Sequence, residues 1–239
     1  MKIYIANEKE IAKMAAQRYV QLINNKPNAI IGGATGSTPI PLYKELIRQC
    51  KAGNVSFKNV KSFNLDEYVG LDGKHDQSYR YFMNHQLFNH IDIDIENTHV
   101  PSGIDTKNPA RYDEEIRAAG GIDLQLLGIG VDGHIGFNEP GTKFDSITHV
   151  VKLEQNTREV NSRFFKSIDE VPTHAVTMGI KTVMNARSII LIATGKSKAE
   201  IVKAFIEGPV TTKVPASILQ LHPFTEVYLD QEAAALLGK

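Results

Sequence analysis

The sequence predicts an α/β chain with a Rossmann-like, doubly wound and mostly parallel sheet carrying helices on both faces, and three observations predict it. Apolar, β-branched runs recur along the 239 residues, helical patterns separate many of them, and two runs, LQLLGIG and SIILIATG, are apolar throughout. Strands of that last kind are buried on both faces, as a parallel sheet between helices requires.

In chain order, residues 3–6 read as the first strand. Asn7 as N-cap, with Glu10 three residues on, opens a helix that presents Ile11, Met14, Ala15, Tyr19, Leu22 and Ile23 and stops before Pro27. A strand at 29–31 follows, then a helix started by Thr38 with Pro39 at its first position and carrying Leu42, Tyr43, Leu46 and Ile47. After a strand at 60–65, Ser78 starts a helix whose Tyr79, Phe82, Met83 and Leu87 read as its apolar face. Further strands read at 122–129, 149–153, 175–178, 188–194 and 226–229, with a helix opened by Ser197 and Glu200.

No repeat, low-complexity tract or Pro/Gly/Ser linker divides the chain, so residues 1–239 read as one domain, with the polar span 149–174 as a mobile lid. Lysine plus arginine number 27, as do aspartate plus glutamate, and like charges form no long blocks, so no nucleic-acid or membrane footprint is written in the charge. Cys50 is the lone cysteine, which excludes an internal disulfide and a multi-cysteine metal site and fits a reduced cytoplasm. The first residues, MKIYIANEKE, meet acidic groups too early for a secretory signal, and no run approaches a membrane span.

In open α/β sheets ligands bind beyond the carboxyl ends of strands, and four strand ends stand out. GGATGSTP, residues 32–39, runs from a strand into a helix start; its glycines and hydroxyls suit a phosphate, and a plain turn capped by Thr38 is the alternative. It matches neither the dinucleotide nor the Walker pattern. NLDEYVG, residues 64–70, delivers Asp66 and Glu67 directly after an apolar strand, where a shielded carboxylate can act as a base toward a carbon acid. Neighbours on an extended segment point opposite ways, so only one of the two would face the pocket, and spacing does not say which; that both simply cap or solvate a turn is the alternative.

GIGVDGHIGFNEPG, residues 128–141, gathers Asp132, His134, Asn138 and Glu139 after a buried strand. Histidine takes and gives protons near neutrality, and carboxylates beside it fix its tautomer, so a proton relay is the leading reading. A metal site and a structurally satisfied histidine stand as rivals, the former weakened because no second histidine completes a ligand set. In ATGKSKAE, residues 193–200, Lys198 falls in the first turn of a helix, where the dipole disfavours a cation unless an anion compensates. A surface lysine reaching back into water is the alternative.

Taken in order, GGATGSTP, FNLDEYVGL, SYRYFMN, LLGIGVDGHIGFNEPG, NSRFF, GKSKAE and LQLHP resemble the glucosamine-6-phosphate deaminases over essentially the whole chain. That resemblance implies conversion of glucosamine 6-phosphate and water to fructose 6-phosphate and ammonium with no cofactor and no metal. Matched motif by motif, it implies that Asp66 moves the C2 proton to C1, that His134 serves ring opening with support from Asp132 and Glu139, and that Thr35, Gly36, Ser37, Thr38, Arg163 and Lys198 meet the phosphate. It favours Asp66 over Glu67. Larger members of the family are hexamers activated by N-acetylglucosamine 6-phosphate and carry basic residues where this sequence has His149 and Val151, and they continue beyond LQLHP further than this chain does. A monomer or small homo-oligomer without that activation is therefore expected. The nearest rival, 6-phosphogluconolactonase, shares the GxGxDGH loop but is expected to lack NLDEYVGL and GFNEPG. A non-catalytic sugar-phosphate sensor is the other, and it would need an output module that the sequence does not display.

Overall fold

The computed structural model describes residues 1–153, 155, 158–159, 165 and 167–238. Seven strands form the main sheet: β1 (Lys2–Ile5), β2 (Ile30–Gly33), β3 (Lys61–Asn64), β5 (Thr98–His99), β6 (Leu124–Leu127), β9 (Ile189–Ala193) and β10 (Thr225–Leu229). Their order is β1-β10-β9-β6-β2-β3-β5, and every pairing is parallel. Every residue of β2, β6 and β9 is buried, as their unbroken apolar runs require. In β9, Ile189, Ile190, Leu191 and Ile192 are all enclosed, each contributing roughly 1.5–3 kcal/mol relative to exposure.

Helix α1 (Glu8–Asn25) begins as its sequence demands, the Asn7 side chain accepting the Glu10 N–H at 3.0 Å. Helix α2 (Ile40–Lys51) departs from expectation: Pro39 occupies the cap position, no side chain caps it, and Thr38 is left to the preceding turn. Helix α3 (Tyr79–Gln86) starts at Ser78, whose Oγ accepts the Tyr81 N–H at 3.0 Å. Helices α4 (Arg111–Ala119), α5 (Ile180–Met184) and α6 (Ala199–Glu207) complete those used here. Ser197 does not cap α6; residues 196–198 form a tight turn and Lys198 itself takes the cap position. Among the described residues no helix is long and apolar enough to cross a membrane.

Two strands expected in the parallel layer lie outside it. β7 (His149–Lys152) and β8 (His174–Thr177) pair antiparallel with β4 (Asp66–Tyr68) in a separate three-stranded sheet ordered β4-β8-β7. The reason is visible in β7, which alternates half-buried and exposed residues; an antiparallel edge tolerates one wet face, and a parallel interior strand does not. Leu65 joins the two sheets. Its N–H donates to Gly33 of the main sheet at 3.1 Å, and its carbonyl accepts the Met178 N–H at the small sheet at 2.7 Å.

From β2 the chain fills one side of the sheet with β3 and β5, then returns to β2's other flank with β6, β9 and β10. The order reverses between β2 and β6, and a crevice opens beyond their carboxyl ends. The paired glycines of β2 serve the sheet rather than the turn. A Cβ on Gly32 would lie 2.0 Å from Gln125 Oε1, and one on Gly33 would lie 2.8 Å from Asn64 Oδ1, so both make room for buried amide side chains.

Candidate active site

All four strand ends singled out by sequence converge on one cavity of about 520 Å³. Residues 34–39 after β2, Leu65 and Asp66 after β3, 128–132 with His134, Gly136 and Phe137 after β6, and Thr194, Ser197 and Lys198 after β9 line it. Thr35, Gly36, Ser37 and Thr38 thus face the same space as Asp66 and His134, and Gly36 takes the turn with φ of 95°. Arg163 lies outside the described residues, as do residues 154, 156–157, 160–162, 164 and 166 of the span 149–174.

The choice between Asp66 and Glu67 has a structural reason. Glu67 Oε1 accepts the N–H groups of Tyr68 at 2.8 Å and Tyr79 at 2.9 Å, and Oε2 accepts that of Arg80 at 3.0 Å. It is a carboxylate holding the N-terminus of α3. Asp66 points the other way, into the cavity, 6 % exposed. Burial pushes its carboxyl up to about 8, the Glu67 charge adds to that, and His134 opposes it. Enclosure therefore favours the protonated form of Asp66, and the nearby imidazole works toward the carboxylate.

His134 stands over Gly130, where an added Cβ would come within 2.2 Å of the imidazole Cε1. Its Nδ1 lies 2.7 Å from Asp132 Oδ1 and 3.5 Å from Glu139 Oε2. Both carboxylates approach the same ring nitrogen, which leaves Nε2 for the cavity. Burial disfavours the imidazolium, but the two carboxylates outweigh it and raise His134 to about 9. Asp132 is held well below the usual carboxylate range: partial burial opposes its charge, and the His134 hydrogen bond prevails. The donor atoms of Asp132, His134 and Glu139 lie within 4.8 Å of one another, close enough to surround a cation. Two carboxylates at 2.7 and 3.5 Å from one ring nitrogen, however, favour a charged imidazole there over a set of independent ligands.

The loop carrying this trio is fastened from three sides. Asn138 is fully enclosed and donates from Nδ2 to the carbonyls of Ile135 and Met178, each at 2.8 Å, so it is structural rather than reactive. The Phe137 N–H donates to Thr177 Oγ1 on β8 at 3.1 Å. Near the end of the chain, the Ala216 N–H donates to the Gly133 carbonyl at 2.9 Å, and Thr212 accepts the Gly141 N–H at 2.8 Å. Ser217 closes that clamp by accepting the Thr211 N–H at 2.8 Å and donating to the Thr211 carbonyl at 3.0 Å. Residues 211–217 carry no acid, histidine or glycine, and their contribution through backbone groups leaves no local signal in the sequence. Lys198 was expected in a first helical turn. It instead sits half-buried at the cap, with Nζ donating to the Ile129 carbonyl at 2.6 Å. Desolvation lowers its pKa, and Asp132 counters that.

Comparison with known proteins agrees with this geometry. The sequence profile of the family described as glucosamine-6-phosphate isomerases/6-phosphogluconolactonase matches residues 6–228. A glucosamine-6-phosphate deaminase of Thermoanaerobacter pseudethanolicus is 53% identical over 241 residues, covering 99% of this chain and 95% of its own. One from Clostridium perfringens is 50% identical over 238 residues, covering 98% of each. Among solved structures, a monomeric glucosamine-6-phosphate deaminase superposes with a TM-score of 0.96 at 44% identity, over 99% of this chain and 100% of that one. The 6-phosphogluconolactonase of Thermotoga maritima shares the fold, with a TM-score of 0.76 at 21% identity over 96% of this chain and 98% of its own. The chain belongs to the glucosamine-6-phosphate isomerase/6-phosphogluconolactonase family.

Proposed function

We propose that this protein is a glucosamine-6-phosphate deaminase, converting glucosamine 6-phosphate and water to fructose 6-phosphate and ammonium. The observation that carries the reading is the pairing, in one cavity, of a buried carboxyl whose proton burial favours with a histidine whose charged form two carboxylates favour. The 53% identity to a deaminase over 99% of the chain supports the same substrate.

In this reading the sugar phosphate lies with its phosphate in the 35–38 turn beside Lys198, with Arg163 as a further contact carried over from the family resemblance. His134, as imidazolium, delivers a proton to the ring oxygen as the C1–O5 bond breaks and takes the O1 proton, returning to its starting charge. Asp66, as carboxylate, removes the C2 proton of the open chain and returns it to C1, while one proton passes from the C2 ammonium to O1. The resulting C2 iminium adds water and releases ammonium, leaving the ketose phosphate. Asp132 and Glu139 hold the imidazolium throughout. No cofactor enters. The protein works in the cytoplasm as a single domain, a monomer or small homo-oligomer, and N-acetylglucosamine 6-phosphate does not activate it. His149, at one of the positions that are basic in activated relatives, is tied through Nδ1 to the Ile147 carbonyl at 2.8 Å.

A coupled assay for ammonium and fructose 6-phosphate tests the reading directly. Equimolar release of both is expected, and a chain that hydrolyses a phosphogluconolactone while releasing no ammonium from the amino sugar would overturn it. Light scattering and rate curves with and without the N-acetyl compound test the quaternary statement, which a hexamer with sigmoidal kinetics would sink.

A further inference from the structure

Thr177 stands between the two groups to which the proposed mechanism gives the proton transfers. It is fully enclosed on β8 and pairs in register with Asp66 across the antiparallel ladder of the small sheet. Directly opposed residues of such a ladder turn their side chains to one face, about 4.5–5.5 Å apart at Cβ, so the threonine hydroxyl lies on the same side as the Asp66 carboxylate. There its Oγ1 accepts the N–H of Phe137, on the loop that carries His134, at 3.1 Å. Gly136, just before that amide, has no room for a side chain: a Cβ there would lie 2.9 Å from Thr177 Oγ1 and 3.6 Å from Asp66 Oδ2. The His134 loop thus rests, backbone first, against Asp66 and Thr177 together.

Packing alone does not account for this residue. Valine has the same outline and suits a buried strand at least as well, so what calls for the oxygen is the enclosed Phe137 amide. The loop is also tied through Gly133, Asn138 and Gly141, but the Thr177 bond is made on the face that Asp66 shares. Asp66 takes the proton at C2, and His134 serves O5 and O1, both attached to the neighbouring C1 of the same sugar. The separation between strand and loop therefore decides whether both groups meet their atoms in one bound substrate. A misplacement of about 1 Å in such a geometry costs about 100-fold in rate.

We infer that Thr177 is a positioning residue, whose hydroxyl oxygen, by holding the Phe137 amide, sets the separation between the Asp66 carboxylate and the His134 loop. The inference rests on the deaminase reading above. Thr177→Val keeps the shape and removes the acceptor, whereas Thr177→Ser keeps the acceptor and removes a methyl. The valine variant is expected to lower kcat about 10- to 100-fold, with KM and the inhibition constant of inorganic phosphate within about threefold, since the phosphate turn lies on another segment. The serine variant is expected to keep kcat within about threefold of wild type. Should Thr177→Val not fold, Thr177→Ala, which removes the same oxygen without setting a methyl against the Phe137 N–H, is held to the same criteria. Thr225→Val is the control: it takes the hydroxyl from another enclosed threonine, bonded to the Leu219 carbonyl at 3.3 Å at the amino end of β10, and should lower Tm while leaving kcat unchanged. A Thr177→Val kcat within about twofold of wild type overturns the inference, as does a serine variant as slow as the valine one. It is equally overturned if phosphate affinity falls as far as kcat, which marks a loosened cavity, or if Thr225→Val loses as much kcat, which marks turnover following stability. Wild-type ammonium release is measured first: its absence removes the deaminase reading and this inference together, whereas a normal wild-type rate with an unimpaired Thr177→Val variant removes the inference alone.

Discussion

Two aspartates at opposite ends of the same sheet are buried almost equally, Asp123 at 4 % exposure and Asp66 at 6 %. Asp123 stands at the amino end of β6 and is paired on every side: Lys26 Nζ at 2.8 Å, Arg187 at 3.0 Å and the Ile30 N–H at 2.8 Å. Asp66 stands beyond the carboxyl end of β3, where burial, reinforced by Glu67, disfavours its charge and outweighs the opposing pull of His134. Burial alone therefore says little about what a carboxyl does. The partner decides: a buried carboxylate bonded to cations and an amide is a fastening, and one that faces an open cavity with a like charge beside it and only an imidazole to oppose it is a group poised to trade a proton.

The sharpest way to break that comparison is to remove the charge at the cavity end. Asp66→Asn should lower kcat by roughly 10³- to 10⁴-fold, the scale of a lost general base, while Tm stays the same or rises because an awkward buried acid has gone. Ammonium release and thermal melting measured together check it, and a variant that retains a tenth of wild-type turnover ends the assignment of Asp66 as the base.

Next in size is the pH dependence, which follows from the same contrast. Asp66 must be deprotonated to act, so kcat/KM should climb about tenfold per pH unit toward a bend near 8; His134 must be protonated, so it should fall again above about 9. A narrow bell with its top between those values is expected in the free enzyme. A profile flat from pH 6 to 8 would mean that Asp66 is ionised throughout and that its enclosure does not govern its charge.

Lys198 tests the cavity end from the other side, as a half-buried cation that donates to the Ile129 carbonyl and feels the Asp132 charge. Lys198→Ala should raise KM for glucosamine 6-phosphate about 10- to 100-fold, the worth of a hydrogen bond to a charged group, with a smaller effect on kcat. Initial-rate measurements over a wide substrate range check this. An unchanged KM would leave the lysine as a brace for the Ile129 carbonyl.

The ends of the sheet also differed in how well they could be read. The parallel layer was legible because LQLLGIG and SIILIATG admit little else, and the cavity end was legible because glycines, hydroxyls, acids and a histidine follow strands directly. What stayed hidden depends on contacts remote in sequence. Gly32 and Gly33 looked like part of a phosphate turn, but Gln125 and Asn64, which need their space, lie on other strands. The assignment of β7 and β8 to a second sheet turns on β4, three residues long and separated from β3 by Leu65 alone. Thr212 and Ala216 clamp the His134 loop through backbone groups, which any sequence supplies.

The smallest expected effect on activity is at the paired end, and it makes the comparison two-sided. Asp123→Asn keeps the shape and an oxygen for the Ile30 N–H but leaves Lys26 and Arg187 without their counter-charge. Both cations are substantially exposed, at 40 % and 57 % of their side chains, so water takes up much of the loss. A destabilisation of about 1–2 kcal/mol follows, which for a chain of this size is a Tm lower by roughly 2–8 °C. Turnover at 25 °C should stay within about twofold of wild type, because the strand ends that carry the cavity lie at the other edge of the sheet. A Tm that falls with kcat intact, set against Asp66→Asn with kcat gone and Tm intact, would separate fastening from chemistry in two residues of one type and one degree of burial. If Asp123→Asn cost as much turnover as stability, the two ends of the sheet would be coupled, and pairing would not be what distinguishes them.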